Sequence, residues 1–100
     1  MTAYTALAEP NRRLILDLLR GGEQPVSALV DRVGISQPGV SKHLRVLREA
    51  GLVGSRAEGK QRLYALQPGP LAEVDAWLEP YRQMWTRSLD DLERHLEENP

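Results

Sequence analysis

Cysteine is absent from the 100 residues. That excludes disulfides, thiolate metal sites and thiol nucleophiles. No apolar run approaches the roughly 20 residues that a membrane-spanning helix needs. The first residues also lack the basic-then-apolar layout of a secretory signal, so a cytoplasmic protein with no membrane partner is expected. Histidine is scarce: His43 and His95 are the only two. Neither has a Ser or Cys partner in a nucleophile motif, and no Gly-rich phosphate loop occurs, so the chain is not expected to be an enzyme. Its length suits one small domain, residues 1–100.

The net charge of −1 conceals a division along the chain. Residues 1–66 hold ten Lys/Arg against six Asp/Glu, a net of +4, whereas residues 67–100 hold three against eight, a net of −5. Phosphate binding responds to the local field, because the screening length at physiological salt is about 8 Å. The basic part can therefore meet nucleic acid despite the acidic total.

Within the basic part, Ser36-Gln-Pro-Gly-Val-Ser-Lys-His-Leu-Arg-Val-Leu-Arg-Glu-Ala-Gly51 reads as a short helix with a stop. At about 100° per residue, Val40, Leu44 and Leu47 form an apolar line, with Lys42, Arg45 and Glu49 roughly opposite. Ser36 suits the N-cap, Pro38 sits in the first turn where its missing donor does no harm, and Gly51 supplies the left-handed residue that ends the helix. Small residues at Gln37-Pro38-Gly39 leave that end free to approach a phosphate or base edge. His43 lies beside the apolar line, where a half-buried packing role is expected.

The neighbouring segments complete a motif. Val26, Leu29, Val30 and Val33 fall at helical spacing, and Gly34-Ile35 separates them from Ser36, giving a helix-turn-helix over about 26–51. Residues 52–56 and 61–66 flank Ala57-Glu-Gly-Lys60, which supplies a glycine for a hairpin turn. The hairpin, about 52–66, carries Arg56, Lys60 and Arg62 beside the helix. Together they suggest a continuous positive surface. Leu63 and Tyr64 fall on opposite faces of the second strand, and the pattern leaves open which of them is inside.

The chain opens with a short helix bearing Leu7. Pro10 then suits the first position of a second helix, residues 10–19, with Leu14, Ile15, Leu18 and Leu19 as its buried face and Gly21-Gly22 as its end. Arg12 and Arg13 could meet phosphate or an acidic neighbour, and a structural role is expected for them. After Pro68-Gly69-Pro70 an apolar stripe runs through Leu71, Val74, Leu78, Tyr81, Trp85, Leu89, Leu92 and Leu96 at steps of three and four. A helix over about 70–98 would be about 40 Å long, against roughly 34 Å across a globule of this size. It cannot bury its whole stripe at home. Burying the eight side chains is worth roughly 12–24 kcal/mol gross, enough to offset an association cost of about 4–15 kcal/mol. A homodimer is the expected outcome, unless Pro80 divides the segment into two helices that fold back. Trp77 and Met84 lie beside the stripe, where core packing is the expected use.

The segments Ala6-Leu-Ala-Glu-Pro-Asn-Arg-Arg-Leu-Ile-Leu-Asp-Leu-Leu19, Ser36-Gln-Pro-Gly-Val-Ser-Lys-His-Leu44 and Leu47-Arg-Glu-Ala-Gly-Leu-Val53, with Arg56, Gly59 and Tyr64-Ala-Leu66, resemble the winged-helix repressors of the ArsR type. The resemblance implies a mainly α fold with a small β-hairpin, a winged helix-turn-helix with a long C-terminal dimerisation helix. It implies a dimeric repressor of transcription whose first and last helices pair, adding Leu7 to the stripe residues Leu71, Val74, Leu78, Tyr81, Trp85, Leu89 and Leu92. It also places Gln37, Ser41 and Lys42 in the major groove, with the wing on the adjacent backbone or minor groove.

With that docking, Gln37, Pro38, Gly39, Ser41, Lys42 and Arg45 are the candidate base readers on double-stranded DNA. Ser36, Arg56, Lys60, Gln61 and Arg62 are the candidate backbone contacts, and two-fold symmetry would match an inverted-repeat operator.

Metal-sensing ArsR repressors carry a Cys-Val-Cys pattern where this chain has Gln24-Pro-Val-Ser-Ala-Leu-Val30, and Asp and His ligands on the last helix where it has Glu73, Asp75 and Glu79. Oxygen donors without imidazole suit Zn²⁺ or Ni²⁺ poorly, so no metal and no cofactor is expected. No small-molecule effector is assigned. An interaction module that docks a partner protein through the C-terminal helix, without binding DNA, is the alternative.

Overall fold

Side-chain caps set the starts of three helices in the computed structural model, which describes residues 1–98. Thr2 accepts from the Thr5 N–H at 3.3 Å to begin α1 (Ala3–Leu7). Glu9 accepts from the Arg12 N–H at 3.0 Å, and Pro10 occupies the first turn of α2 (Pro10–Leu19). After the two-residue strand β1 (Gln24–Pro25) comes α3 (Val26–Val33), ended by Gly34 at φ 81°. Ser36 caps α4 (Gln37–Glu49) through the Gly39 N–H at 3.2 Å. The end of α4 is a complete Schellman motif: Gly51, at φ 76°, donates to Arg48 O at 2.9 Å, and Leu52 donates to Leu47 O at 2.9 Å.

Strands β2 (Val53–Glu58) and β3 (Gln61–Leu66) pair antiparallel, with Val53 opposite Leu66 and Glu58 opposite Gln61. Gly59, at φ 61°, takes the first position of the two-residue loop between them, as a type II′ turn requires. The wing is wider than a hairpin, because Gln24 and Pro25 pair with Tyr64 and Leu63 on the free edge of β3. Two residues ending in proline carry no strand signal of their own; the neighbouring edge recruits them.

The core gathers Ile15, Leu29, Val40, Leu44, Leu47 and Leu52, all fully buried. Tyr64 and Leu66 pack against it, so the Tyr64 face of β3 is the inner one. One expectation needs correction. The buried face of α2 is Ile15, Leu16 and Leu19, whereas Leu14 is 37% exposed. The helix is rolled toward Leu16 because β3 packs against it, and Leu16 lines one cleft with Leu66 and Leu71.

Helix α5 (Leu71–Glu98) runs unbroken through Pro80. Leu71 and Val74 pack on the core, Tyr4 donates from its hydroxyl to Glu73 O at 3.2 Å, and Tyr4 meets Trp77 edge-on with centroids 6.1 Å apart. Beyond this root the helix leaves its own body: the molecule measures 65 × 25 × 20 Å, with a radius of gyration of 18.5 Å. Among the described residues, no helix is long and apolar enough to cross a membrane.

Candidate nucleic-acid interface

The apolar line of α4 is buried as Val40, Leu44 and Leu47, which turns Gln37, Pro38, Ser41, Lys42, Arg45 and Arg48 outward. A helix anchored along one face and polar on the other, with a free N-terminal end, has the shape a major groove admits. Gly39 is the exception in this set. It is half-buried, and a Cβ there would come within 3.2 Å of Ile35 Cδ1 and 3.3 Å of Ser36 Oγ. Its smallness therefore lets the turn and the cap close onto the helix.

Strand alternation decides which wing residues face α4. Val53, Ser55 and Ala57 of β2 share the inner face with Arg62, Tyr64 and Leu66 of β3. Arg62 lies on that face and donates from Nη1 to Ser55 Oγ at 3.1 Å. Gln37, Ser27, Lys60, Gln61 and Arg62 line one groove between the wing tip, α3 and the start of α4. Two cations and three neutral polar groups thus converge beside the exposed end of α4, an arrangement suited to a phosphate strand.

Arg56 is not brought to this groove. It sits on the outer face of the wing, where Nε and Nη2 grip Glu23, the closest approach being 2.6 Å from Nη2 to Oε1, and Nη2 also meets Glu58 at 3.3 Å. Hydrogen bonds from Arg56 hold the Glu23 carboxyl below its ordinary range, and the same bonds raise the Arg56 guanidinium. The contact spans 33 residues of sequence, so no local pattern signals it.

Other cations serve the scaffold. Arg12 donates from Nε to Ala6 O at 2.7 Å and from Nη2 to Thr5 O at 3.2 Å, and Arg13 donates from Nη1 to Leu7 O at 2.8 Å, so the pair satisfies the last carbonyls of α1. His43 is half-buried beside the core, with Nδ1 3.5 Å from Arg12 Nη1 and Nε2 3.7 Å from Glu9 Oε2. It ties α4 to the start of α2. On α5, Arg82 is held by Asp75 and by Glu79, which also raises its affinity for its proton.

Among the described residues, no group of three His, Cys, Asp or Glu side chains could hold a metal ion. Of the α5 carboxylates, Asp75 and Glu79 are engaged with Arg82. The donor set does not fit a transition metal.

Comparison with known proteins decides the family. Residues 9–55 match the family described as "Bacterial regulatory protein, arsR family". The chain is 40% identical over 87 residues to the HTH-type transcriptional regulator Rv2034 of Mycobacterium tuberculosis, covering 87% of this chain and 78% of that protein. It belongs to the arsR family. The transcriptional repressor SdpR of Bacillus subtilis is 32% identical over 75 residues, covering 75% of this chain and 83% of its own. A crystal structure described as a possible transcriptional regulator for arsenical resistance superposes with a TM-score of 0.70 at 43% identity, covering 77% of this chain and 80% of that one. As a member of the arsR family the chain is a helix-turn-helix transcriptional regulator and not an enzyme, and its winged helix is the family's fold.

Proposed function

We propose that the chain is a homodimeric repressor that reads an inverted-repeat operator, each subunit laying α4 in one major groove. Gln37, Ser41, Lys42 and Arg45 meet base edges, with the exposed Pro38 allowing close approach and Gly39 letting the Ser36 cap close onto the helix. Lys60, Gln61 and Arg62 hold the flanking backbone with Ser36, and Arg56 fixes the wing at the angle this needs. The observation that carries the proposal is the single groove shared by Gln37, Lys60, Gln61 and Arg62. A candidate base reader beside candidate phosphate-holding groups supports the reading, because sequence-specific binding needs both kinds of contact.

The dimer rests on α5. Trp85, Leu89, Leu92 and Leu96 are each more than half exposed, a continuous apolar surface that a lone subunit would leave in water. Two copies related by a two-fold axis would present two α4 helices to major grooves about 34 Å apart on one face of the duplex. Bound over a promoter, such a dimer excludes polymerase.

A mobility shift with DNA from upstream of its own coding sequence, at two salt concentrations, tests this. Retention that survives competition by unrelated DNA is expected. Equal competition by any sequence would reduce the protein to a non-specific binder, and no retention by an intact dimer would favour a protein-docking module.

A further inference from the structure

Three helices and a strand meet around a cleft of about 190 Å³ that neither the DNA-reading groove nor the outer half of α5 uses. Its floor is one leucine from each of them: Leu7 of α1, Leu16 of α2, Leu66 of β3 and Leu71 of α5. Its rim is charged. Arg13, Asp17 and Arg20 fall at i, i+4 and i+7, one line along the exposed edge of α2. Arg13 is anchored through Nη1 on Leu7 O at 2.8 Å, which fixes its guanidinium beside the floor. The side chains of Asp17 and Arg20 make no hydrogen bond or ion pair among the described residues. Two arginines against one aspartate leave the rim net positive.

Size and charge define the occupant. An apolar cavity of about 150 Å³ holds a benzene ring, so 190 Å³ takes one ring on a short chain. A leucine floor favours hydrocarbon and a net positive rim favours an anionic head, the makeup of a ligand pocket in which a few polar groups set the orientation. We propose that the cleft binds a small arylalkyl carboxylate, its ring on the four leucines and its carboxylate on Arg20 and Arg13. A guanidinium suits that head because its planar fork meets a carboxylate through two hydrogen bonds. Asp17, in the middle of the rim, limits the ligand to one negative charge. The cleft uses no residue of 24–30 and none of Glu73, Asp75 and Glu79, the positions of the family's metal sites.

Occupancy has a route to DNA. Leu66 closes β3 of the wing and Leu71 opens α5, and the Gln67 N–H donates to Leu52 O at 2.8 Å, tying the same junction to the end of α4. A ring seated on Leu66 and Leu71 bears on the segment that sets the wing against the reading helix. A ligand that prefers a shifted wing lowers operator affinity by the ratio of its own affinities for the two arrangements. This release role rests on the repressor reading; the site itself does not.

Calorimetry on the full chain, with 3-phenylpropanoate as the probe, tests the site. Saturable binding of one molecule per subunit is expected, with a dissociation constant of about 1 mM or tighter. The uncharged 3-phenylpropanol should bind about tenfold more weakly, and 3-phenylpropylamine should not bind. Arg20→Gln should weaken the carboxylate about fivefold, and Asp17→Asn should tighten it by a similar factor. Both side chains are exposed, so these variants keep the fold. Equal binding of acid and alcohol, no change in either variant, or no saturation by about 10 mM would overturn the proposal. A mobility shift reads the consequence: saturating probe should lower operator affinity about five- to tenfold. Binding without that loss would overturn the release role. A chain that retains no operator in the absence of the probe would overturn the repressor reading and the release role with it, while the calorimetry still decides the site.

Discussion

Arg56 and Arg62 lie on adjacent strands of one wing and face opposite ways. Arg56 looks outward and is gripped by Glu23 at 2.6 Å, while Arg62 looks inward over the groove it shares with Gln37. Three cations on one hairpin are therefore not one patch. The alternation of strand side chains divides them between fastening the wing and facing a ligand.

The division is measurable in the salt dependence of DNA binding. Changing Arg62 to Ala should flatten the log–log slope by about one unit, and removing Lys60 as well by about two. Changing Arg56 to Ala should leave the slope nearly unaltered and act through the position of the wing. Equal slopes for Arg62→Ala and the wild type would take the wing off the backbone.

Glu23 predicts a pH dependence. Its carboxyl is held below the ordinary range by hydrogen bonds from Arg56. A lowered folded pKa means that the pair stabilises the fold above the unfolded value of about 4.3, and that this is lost as the pH falls through the folded value. The wild type should therefore melt above Glu23→Gln near neutrality, with the two curves converging in acid. A gap that persists well below the carboxylate range would show that the pair is not its source.

Base reading by α4 predicts an asymmetry. Changing Lys42 or Ser41 to Ala should cost about 1–3 kcal/mol on the operator and much less on unrelated DNA, because base contacts specify and phosphate contacts position. Competition titrations with both DNAs would measure it. Equal loss on each would move these side chains from bases to backbone.

Gly51 is a stability test independent of DNA. Its φ of 76° closes the Schellman motif that turns α4 into β2, and a Cβ there would stand 3.4 Å from Pro70 Cγ. Changing Gly51 to Ala should cost about 1–2 kcal/mol from the left-handed backbone alone. Urea unfolding reads this directly, and a neutral result would mean that the turn relaxes.

Trp85 tests the dimer surface without touching the core. It is 57% exposed on the outer half of α5, so Trp85→Glu should fold normally by circular dichroism. Sedimentation should show a monomer at micromolar concentration, with the operator shift lost alongside it. A dimer that tolerates this charge would place the interface elsewhere.

Much of this molecule is decided by short-range rules that can be read along the chain. Ser36, Pro10, Gly34 and Gly51 punctuate the helices because caps and left-handed turns depend on residues three or four apart. The stripe of α5 announces a helix too long for its own body, since 3.6 residues per turn fixes both face and length, while its unbroken passage through Pro80 is seen only in the structure. What the tertiary structure alone decided are relations between distant segments of chain. The recruitment of Gln24 and Pro25 as a third strand and the roll of α2 toward Leu16 are set by neighbouring segments. The choice of Tyr64 over Leu63 as the inner residue, and Glu23 as keeper of Arg56, are fixed in the same way. Periodicity gives each element two faces; only packing says which neighbour each face meets.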